Sequence, residues 1–144
     1  RLDLSGTDVM RKIMILAREA GAQLEMDQII NHSFMPPSCM EGSVTDFYAE
    51  MEQHESHFKN LYITAASNGK KLKFVASYKN GEATVGLQQI DPQHDFYHLY
   101  GKDNIVLFYT NRYKEQPMVI KGAGAGADVT ASGVFADIIR AASI

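Results

Sequence analysis

The sequence predicts an α+β fold, in which helices lie on one face of a mixed, mostly antiparallel sheet and a glycine-rich loop leads into a last helix. Three observations predict it. Apolar residues recur at helical intervals in the first half of the chain, two alternating segments flank an Asn-Gly pair, and a Gly-Ala run precedes another helical pattern. The predicted order is α-β-α-β-β-β, then a short strand, the loop and a helix, which is typical of α+β proteins.

The first helix is predicted over residues 7–20. Ser5 and Asp8 have the spacing of a capping box, with Asp in place of the usual Glu, and Gly21 supplies a C-terminal stop. Residues 13–17 read Ile-Met-Ile-Leu-Ala, which is apolar on every side of a helix. We therefore expect this helix to lie in the interior of the fold.

A strand, a loop and a long helical pattern follow. Residues 23–32 alternate loosely and contain an Ile-Ile pair that favours a strand, and residues 33–42, with two consecutive prolines, form a loop. Apolar residues then recur at helical spacing from Val44 to Ala65, and the pattern stops near residues 67–69. The pattern does not decide whether this helix breaks around its two histidines.

The second half of the chain changes to strand patterns. Residues 71–79 and 82–90 flank the Asn-Gly pair of a two-residue hairpin. Residues 91–102 form a connection with room for a helical turn, and residues 104–110 are a third strand of this group. We expect the remaining elements in the order strand, glycine-rich loop and helix, at residues 117–121, 122–126 and 127–142.

Composition excludes several classes of function. A chain of 144 residues with net charge -3 lacks the basic surface that nucleic-acid binding requires. No apolar stretch approaches the roughly 20 residues of a membrane span, and the N-terminus does not read as a signal peptide. The single Cys39 excludes an internal disulfide and fits a reducing cytoplasm. We therefore expect a cytoplasmic protein without a nucleic-acid or membrane partner.

Three charged residues near the N-terminus are candidates for chemistry. Asp8 and Lys12 lie at i and i+4, so they share a helix face. One interpretation is an intrahelical ion pair, worth about 0.2–0.5 kcal/mol. The other is a lysine that exchanges its proton with a substrate oxygen while the carboxylate holds it. Asp3, just upstream, could bind a cationic substrate group or could be a solvated loop acid.

The glycine run and the histidines carry weaker signals. The loop with Gly122, Gly124 and Gly126 precedes a helix, where backbone N–H groups can meet a phosphate, but a tight turn explains it equally well. It is not a Rossmann fingerprint, because the third glycine would fall at Val129. The histidine pairs 54/57 and 94/98 have no third ligand nearby, so no metal site is predicted. Cys39 has no local base, and we expect an inert or partly buried thiol.

Two segments resemble a known family. Residues 3–12, DLSGTDVMRK, resemble the D-L-x-G-x-D-V-x-R-K motif of homoserine dehydrogenases, and residues 122–137, GAGAGADVTASGVFAD, resemble that family's C-terminal signature. Residues 104–109 and 117–120 are similar to the family's strand segments between them. The resemblance covers the whole chain in order. Met10 departs from the alanine that is common in the family, with no functional consequence expected.

The resemblance implies an activity and a set of site residues. The family interconverts aspartate 4-semialdehyde and homoserine with NAD(P)H, in threonine and methionine biosynthesis. Lys12 matches its catalytic proton donor, Asp8 the acid beside that lysine, Asp3 a substrate-binding carboxylate and Gly126 a cofactor contact. The choice between NADP and NAD is made outside this chain, because the resemblance places the Rossmann domain upstream. The ending resembles bifunctional aspartokinase–homoserine dehydrogenases or short fungal enzymes.

The resemblance also implies how the chain is organised. Residues 1–121 would be the catalytic, substrate-binding and dimerisation domain of a homodimer, and residues 122–144 would pack toward the absent nucleotide-binding domain. The cofactor site is then incomplete, and the fragment should not turn over by itself. Four apolar residues of the last helix should be exposed or buried against another copy: Val134, Phe135, Ile138 and Ile139.

Two other functions stay open. One is a semialdehyde dehydrogenase that uses Cys39 through a thioester. The other is a non-catalytic regulatory or assembly domain.

Overall fold

The structure is a computed structural model that describes residues 1–143. It divides into two compact units, the first Arg1–Tyr97 and the second beginning at His98. The predicted α+β class is confirmed, with α-helices and small, mostly antiparallel sheets. The functional division after Lys121 stays a prediction.

The first unit contains a three-stranded sheet with the order β1-β3-β2, whose strands are β1 (Ile30–His32), β2 (Lys71–Lys79) and β3 (Glu82–Ile90). Strands β2 and β3 pair antiparallel through the predicted hairpin, where Asn80 and Gly81 have φ of 52° and 84°. Strand β1 pairs parallel with the other edge of β3. A single sheet was expected, but the two later strands pair with each other and form a second sheet.

Three α-helices belong to the first unit: α1 (Thr7–Glu19), α2 (Val44–Gln53) and α3 (Glu55–Ser67). The long helical pattern does break at His54, which ends α2 and precedes α3. Gly21, with φ of 92°, follows the end of α1, as predicted. Short 3-10 turns lie in the connections that were expected to be loops or loosely extended, at Met26–Gln28, Pro37–Met40 and Asp95–His98.

The main core lies between α1 and the sheet. Its buried residues come from α1, the following loop and β3, and they are Ala17, Leu24, Ile29, Ala83 and Val85. Phe74, Ala76 and Tyr78 of β2 pack against them. The expectation that α1 lies in the interior is wrong. The sheet covers only one side of the helix, so Ile15 remains 56% exposed on the other side.

A smaller core joins the proline-containing loop to α2. Met35, Cys39 and Phe47 are buried there, with Phe34 and Phe58 packed against them. Two histidines near the helix break bind this loop from outside. His54 Nε2 lies 3.0 Å from Ser38 Oγ, and His57 Nε2 lies 2.8 Å from the Phe34 carbonyl oxygen.

The start of α1 differs from the predicted capping box. Gly6 is the N-cap, with φ of 83°, and no side chain caps the helix there. The Ser5 hydroxyl donates to the Leu2 carbonyl at 2.7 Å and accepts from the Thr7 N–H at 3.2 Å, while Asp8 turns to another partner. The box fails because the left-handed glycine displaces Ser5 from the N-cap position by one residue.

The second unit contains β4 (Asp103–Phe108), β5 (Met118–Ala123) and α4 (Ala127–Ala142). The two strands pair antiparallel. Strand β5 runs two residues into the predicted loop, because β4 begins at Asp103 and supplies backbone partners for Gly122 and Ala123. No residue of α4 is buried in the described part of the chain. Within residues 1–143, none of the helices has the length and apolar character needed to cross a membrane.

We expect Gly6→Ala to destabilise the protein more than Gly81→Ala does. Both glycines have almost the same φ, 83° and 84°, so alanine at either position has the same conformational cost of about 1–2 kcal/mol. A Cβ on Gly6 would stand 2.8 Å from Phe74 Cζ, whereas one on Gly81 would meet no atom within 4 Å. The Phe74 ring packs against Phe34, so it cannot swing away freely.

Urea unfolding of both variants measures this difference. Overpacking should add about 1–2 kcal/mol to the loss for Gly6→Ala. Equal losses in the two variants would show that the contact with Phe74 does not constrain the helix start.

The first turn of α2 should make stability depend on acid pH. Hydrogen bonds from the Ser43 hydroxyl and the Ser43 backbone N–H, both 2.7 Å, lower the pKa of the Asp46 carboxyl below its ordinary value of 3.8. A lowered folded-state pKa stabilises the fold above the unfolded-state pKa, and this contribution is lost as the pH falls through the folded-state pKa. In Asp46→Asn, the loss of stability between about pH 5 and pH 2 should therefore shrink.

Urea midpoints across that range measure the effect, with Ser43→Ala as the companion variant. The two changes combined should have less than the sum of their separate effects, because both remove the hydrogen bond from the Ser43 hydroxyl to the Asp46 carboxylate. Parallel pH curves for the wild type and Asp46→Asn would contradict the role of this carboxylate.

Candidate active site

The two charged residues predicted to share a face of the first helix form an ion pair. Lys12 Nζ lies 2.8 Å from Asp8 Oδ2, at the i, i+4 spacing of α1. Asp8 is in the first turn, where the helix dipole favours a negative charge. The carboxylate therefore holds the lysine ammonium at a fixed place on the helix.

The pair faces solvent. The side chains of Lys12 and Asp8 are 57% and 54% exposed. An exposed pair of this kind adds about 0.3–0.5 kcal/mol to stability, so the fold does not depend on it. An ammonium held by a carboxylate and open on its other sides can donate a proton to a substrate oxygen, provided that something else excludes water.

Asp3 lies in the turn that leads into α1. The Ser5 N–H donates to the Arg1 carbonyl at 2.9 Å, and the Arg1 guanidinium donates to the Met40 carbonyl at 3.2 Å. Within residues 1–143, Asp3 is exposed and makes no hydrogen bond or ion pair, whether with Asp8, Lys12 or another residue. Its carboxylate is therefore available to a ligand.

Two residues that hold this turn were not predicted from the sequence. The Asn31 side-chain amide donates to the Ser5 carbonyl at 2.8 Å, and Phe74 packs against Gly6. Both contacts depend on tertiary structure, since Asn31 is brought to the turn by the parallel pairing of β1 with β3. No local pattern near Asn31 signals it.

The second unit contains the predicted cofactor contact, Gly126. It is the N-cap of α4, with φ of 140° and ψ of 153°, a conformation that is essentially restricted to glycine. A Cβ on Gly126 would meet no atom within 4 Å, so the backbone there is open to a ligand such as a dinucleotide. The first turn of α4 also contains Asp128, whose negative charge is stabilised by the positive end of the helix dipole. The Gly126 backbone is therefore accessible to a cofactor, but it forms only part of a cofactor-binding site.

Asn104 of β4 packs against the glycine loop. A Cβ on Gly124 would overlap the Asn104 side-chain amide, and the Gly124 N–H donates to the Lys102 carbonyl at 3.3 Å. The loop can pass this close to β4 only because residue 124 has no side chain.

The other sequence candidates do not form a site. Cys39 is fully buried in the smaller core and has no access to a substrate. Across residues 1–143, no group of three or more His, Cys, Asp or Glu is arranged to hold a metal ion. An open groove of about 530 Å³, formed by residues of α2 and α3, contains none of the predicted site residues.

Several known proteins resemble this chain over nearly all of its length. The family profile described as "Homoserine dehydrogenase" matches residues 1–139. The chloroplastic bifunctional aspartokinase/homoserine dehydrogenase 2 of Arabidopsis thaliana is 41% identical over 99% of this chain. The homoserine dehydrogenase of Emericella nidulans is 40% identical over 97% of it. A crystal structure of a Candida auris protein of unknown function matches 99% of the chain, with a TM-score of 0.87 and 36% identity.

These relatives are longer than the chain. It spans 16% of the Arabidopsis protein, 40% of the Emericella protein and 41% of the Candida auris chain.

We expect Gly124→Ala to disturb the glycine loop and Gly122→Ala to leave it intact. The new Cβ at residue 124 would overlap Asn104, whereas at residue 122 it would meet no atom within 4 Å. Amide hydrogen exchange at residue 124 measures the effect, because its N–H donates to the Lys102 carbonyl at 3.3 Å: exchange there should accelerate roughly tenfold or more for Gly124→Ala, the effect of losing about 1.4 kcal/mol of local stability. Equal exchange in both variants would contradict the packing of Asn104 on the loop.

Proposed function

Because the chain belongs to the homoserine dehydrogenase family, we propose that it supplies the catalytic and substrate-binding groups of an NAD(P)-dependent enzyme that interconverts L-homoserine and L-aspartate 4-semialdehyde. One observation carries the proposal. The Lys12 ammonium is held 2.8 Å from the Asp8 carboxylate, inside the segment that resembles the family's D-L-x-G-x-D-V-x-R-K motif.

Lys12 acts as the proton donor in aldehyde reduction. The nicotinamide cofactor, when bound, supplies the hydride to the carbonyl carbon. Negative charge then develops on the carbonyl oxygen, and the Lys12 ammonium stabilises this charge and transfers its proton to the oxygen, which becomes the hydroxyl of homoserine. In the reverse direction the neutral amine accepts the hydroxyl proton. Asp8 keeps the nitrogen in place through both directions.

Asp3 binds the other end of the substrate. Homoserine and aspartate semialdehyde both carry an ammonium group, and the free carboxylate of Asp3 has the charge to pair with it. The substrate would then be held between a carboxylate at its amino group and an ammonium at its oxygen. Such two-point binding aligns the reacting carbon and accounts for much of the rate enhancement of bimolecular reactions on enzymes.

A further domain has to complete the site. The exposure of Lys12 and Asp8 leaves water beside the proton donor, and in the second unit Gly126 offers only part of a binding site for a dinucleotide. We propose that a nucleotide-binding domain covers the site and holds NADP or NAD. Residues 1–144 alone would then bind substrate weakly and would not turn over.

The proposed enzyme is a homodimer in the cytoplasm.

The apolar residues of α4 that we expected to find exposed or covered by a second copy are exposed in the single chain, at 51–64%. We assign this face to the nucleotide-binding domain, because residues 122–144 resemble the family segment that packs there. The plant relatives are named as chloroplastic and as bifunctional aspartokinase/homoserine dehydrogenases. We propose neither a chloroplast location nor an aspartokinase activity for this chain.

The buried thiol argues against the semialdehyde dehydrogenase alternative. A catalytic cysteine has to reach the substrate carbonyl as a thiolate, and Cys39 has no exposed surface. Substitution of Lys12 distinguishes the proposed function from the alternative of a non-catalytic domain.

We expect Lys12→Met to lower kcat for homoserine oxidation by at least ~10²-fold, because positioned acid–base catalysis contributes at least that much. The assay uses the enzyme that joins this chain to its nucleotide-binding domain. Lys59→Met on α3 is the matched control, since Lys59 is exposed and lies on a helix without a predicted site residue.

The control variant should retain the kcat of the wild type. A Lys12→Met enzyme with nearly unchanged kcat would contradict the proton-donor role and would favour the non-catalytic alternative.

A further inference from the structure

We propose that Asn31 is a positioning residue for this reaction, because its amide holds the turn that sets the place of Asp3 relative to Lys12. The inference rests on the proposed function and adds to it a residue outside the N-terminal motif.

The sheet directs Asn31 toward the start of α1. In the parallel pairing of β1 with β3, Asn31 lies opposite Val85, which is buried beneath α1. Its neighbours Ile30 and His32 lie on the other face, because side chains alternate along a strand. Asn31 is therefore the one residue of β1 that faces the helix side of the sheet.

The Asn31 amide contacts the turn between Asp3 and α1. Asn31 Nδ2 donates to the Ser5 carbonyl oxygen at 2.8 Å. Among residues 1–143, the Ser5 hydroxyl bonds only within the turn, to Leu2 and Thr7. The bond from Asn31 therefore ties Ser5 to a residue 26 positions away in the sequence.

A second contact places Asn31 beside Gly6. A Cβ on Gly6 would stand 3.4 Å from Asn31 Oδ1 and 2.8 Å from Phe74 Cζ. Two side chains of the sheet, one from β1 and one from β2, therefore lie against the side of Gly6 on which a Cβ would stand. These contacts fix the residue at which the turn becomes a helix.

This arrangement matters for catalysis because the two proposed substrate contacts, Asp3 and Lys12, lie on opposite sides of Ser5 and Gly6 along the chain. Asp3 precedes Ser5 by two residues, and Lys12 follows Gly6 within α1. The side chains of Asp3 and Lys12 are both exposed, so packing in a core does not hold them in place. The distance between their backbone positions is therefore set by the turn. A displacement of about 1 Å between binding and reacting groups can cost about 10²-fold in rate.

The test is Asn31→Asp in the enzyme that joins this chain to its nucleotide-binding domain. The change keeps the shape of the side chain but, at neutral pH, removes the N–H that Ser5 accepts. We expect kcat/KM for homoserine to fall roughly 10- to 100-fold, with KM for the cofactor unchanged within about twofold. Asn31→Ala, which adds no charge, should give a loss of the same kind.

Asn60→Asp on α3 is the matched control. Asn60 is exposed and makes no side-chain hydrogen bond within residues 1–143, so the same chemical change should leave both KM values and kcat at the wild-type level.

Two results would overturn the inference. One is an unchanged kcat/KM for homoserine in both Asn31 variants. The other is an equal rise of both KM values together with a lowered Tm, which would show a general structural defect. Lys12→Met, measured alongside, separates the two proposals. If it is inactive while the Asn31 variants match the wild type, only the inference about Asn31 fails. If it is active, the proposed function fails.

Discussion

The contact between a left-handed glycine and an aromatic ring determines where the first helix begins. Gly6 has φ of 83° and packs against Phe74, which itself belongs to the main core. A residue with a side chain would meet both a backbone penalty and a steric one. Since Asp8 and Lys12 lie within the first two turns of α1, their direction depends on this start. A core contact without charge therefore controls the placement of the charged groups.

Elements that depend on local chemistry were predicted well. The hairpin at Asn80-Gly81, the helix end before Gly21 and the last helix follow from residues that are adjacent in sequence. The division of the strands into two sheets and the parallel β1 could not be predicted, because they depend on which strand edges are already paired. The failed capping box at Ser5 has the same origin, since the contacts of Gly6 with the sheet decide the N-cap.

The ion pair between Asp8 and Lys12 was predictable from the sequence, and its exposure was not. Spacing placed Asp8 and Lys12 on one face, and the resemblance to the family motif gave them roles. The expectation that α1 lies in the interior was wrong, because the sheet covers only one side of the helix, and Lys12 is 57% exposed. In water such a pair is screened and contributes little. Its chemistry requires a covering surface, and a local sequence pattern contains no information about that surface.

We propose that the start of α1 places the Lys12 nitrogen on the substrate oxygen that gains or loses the proton. A crystal structure of the enzyme that contains this chain, with homoserine and oxidised cofactor bound, tests it most directly. We expect Lys12 Nζ at about 2.6–3.2 Å from the homoserine hydroxyl oxygen, with the Asp3 carboxylate at the amino group. A Lys12 nitrogen that points into bulk water while another residue contacts that hydroxyl would contradict it.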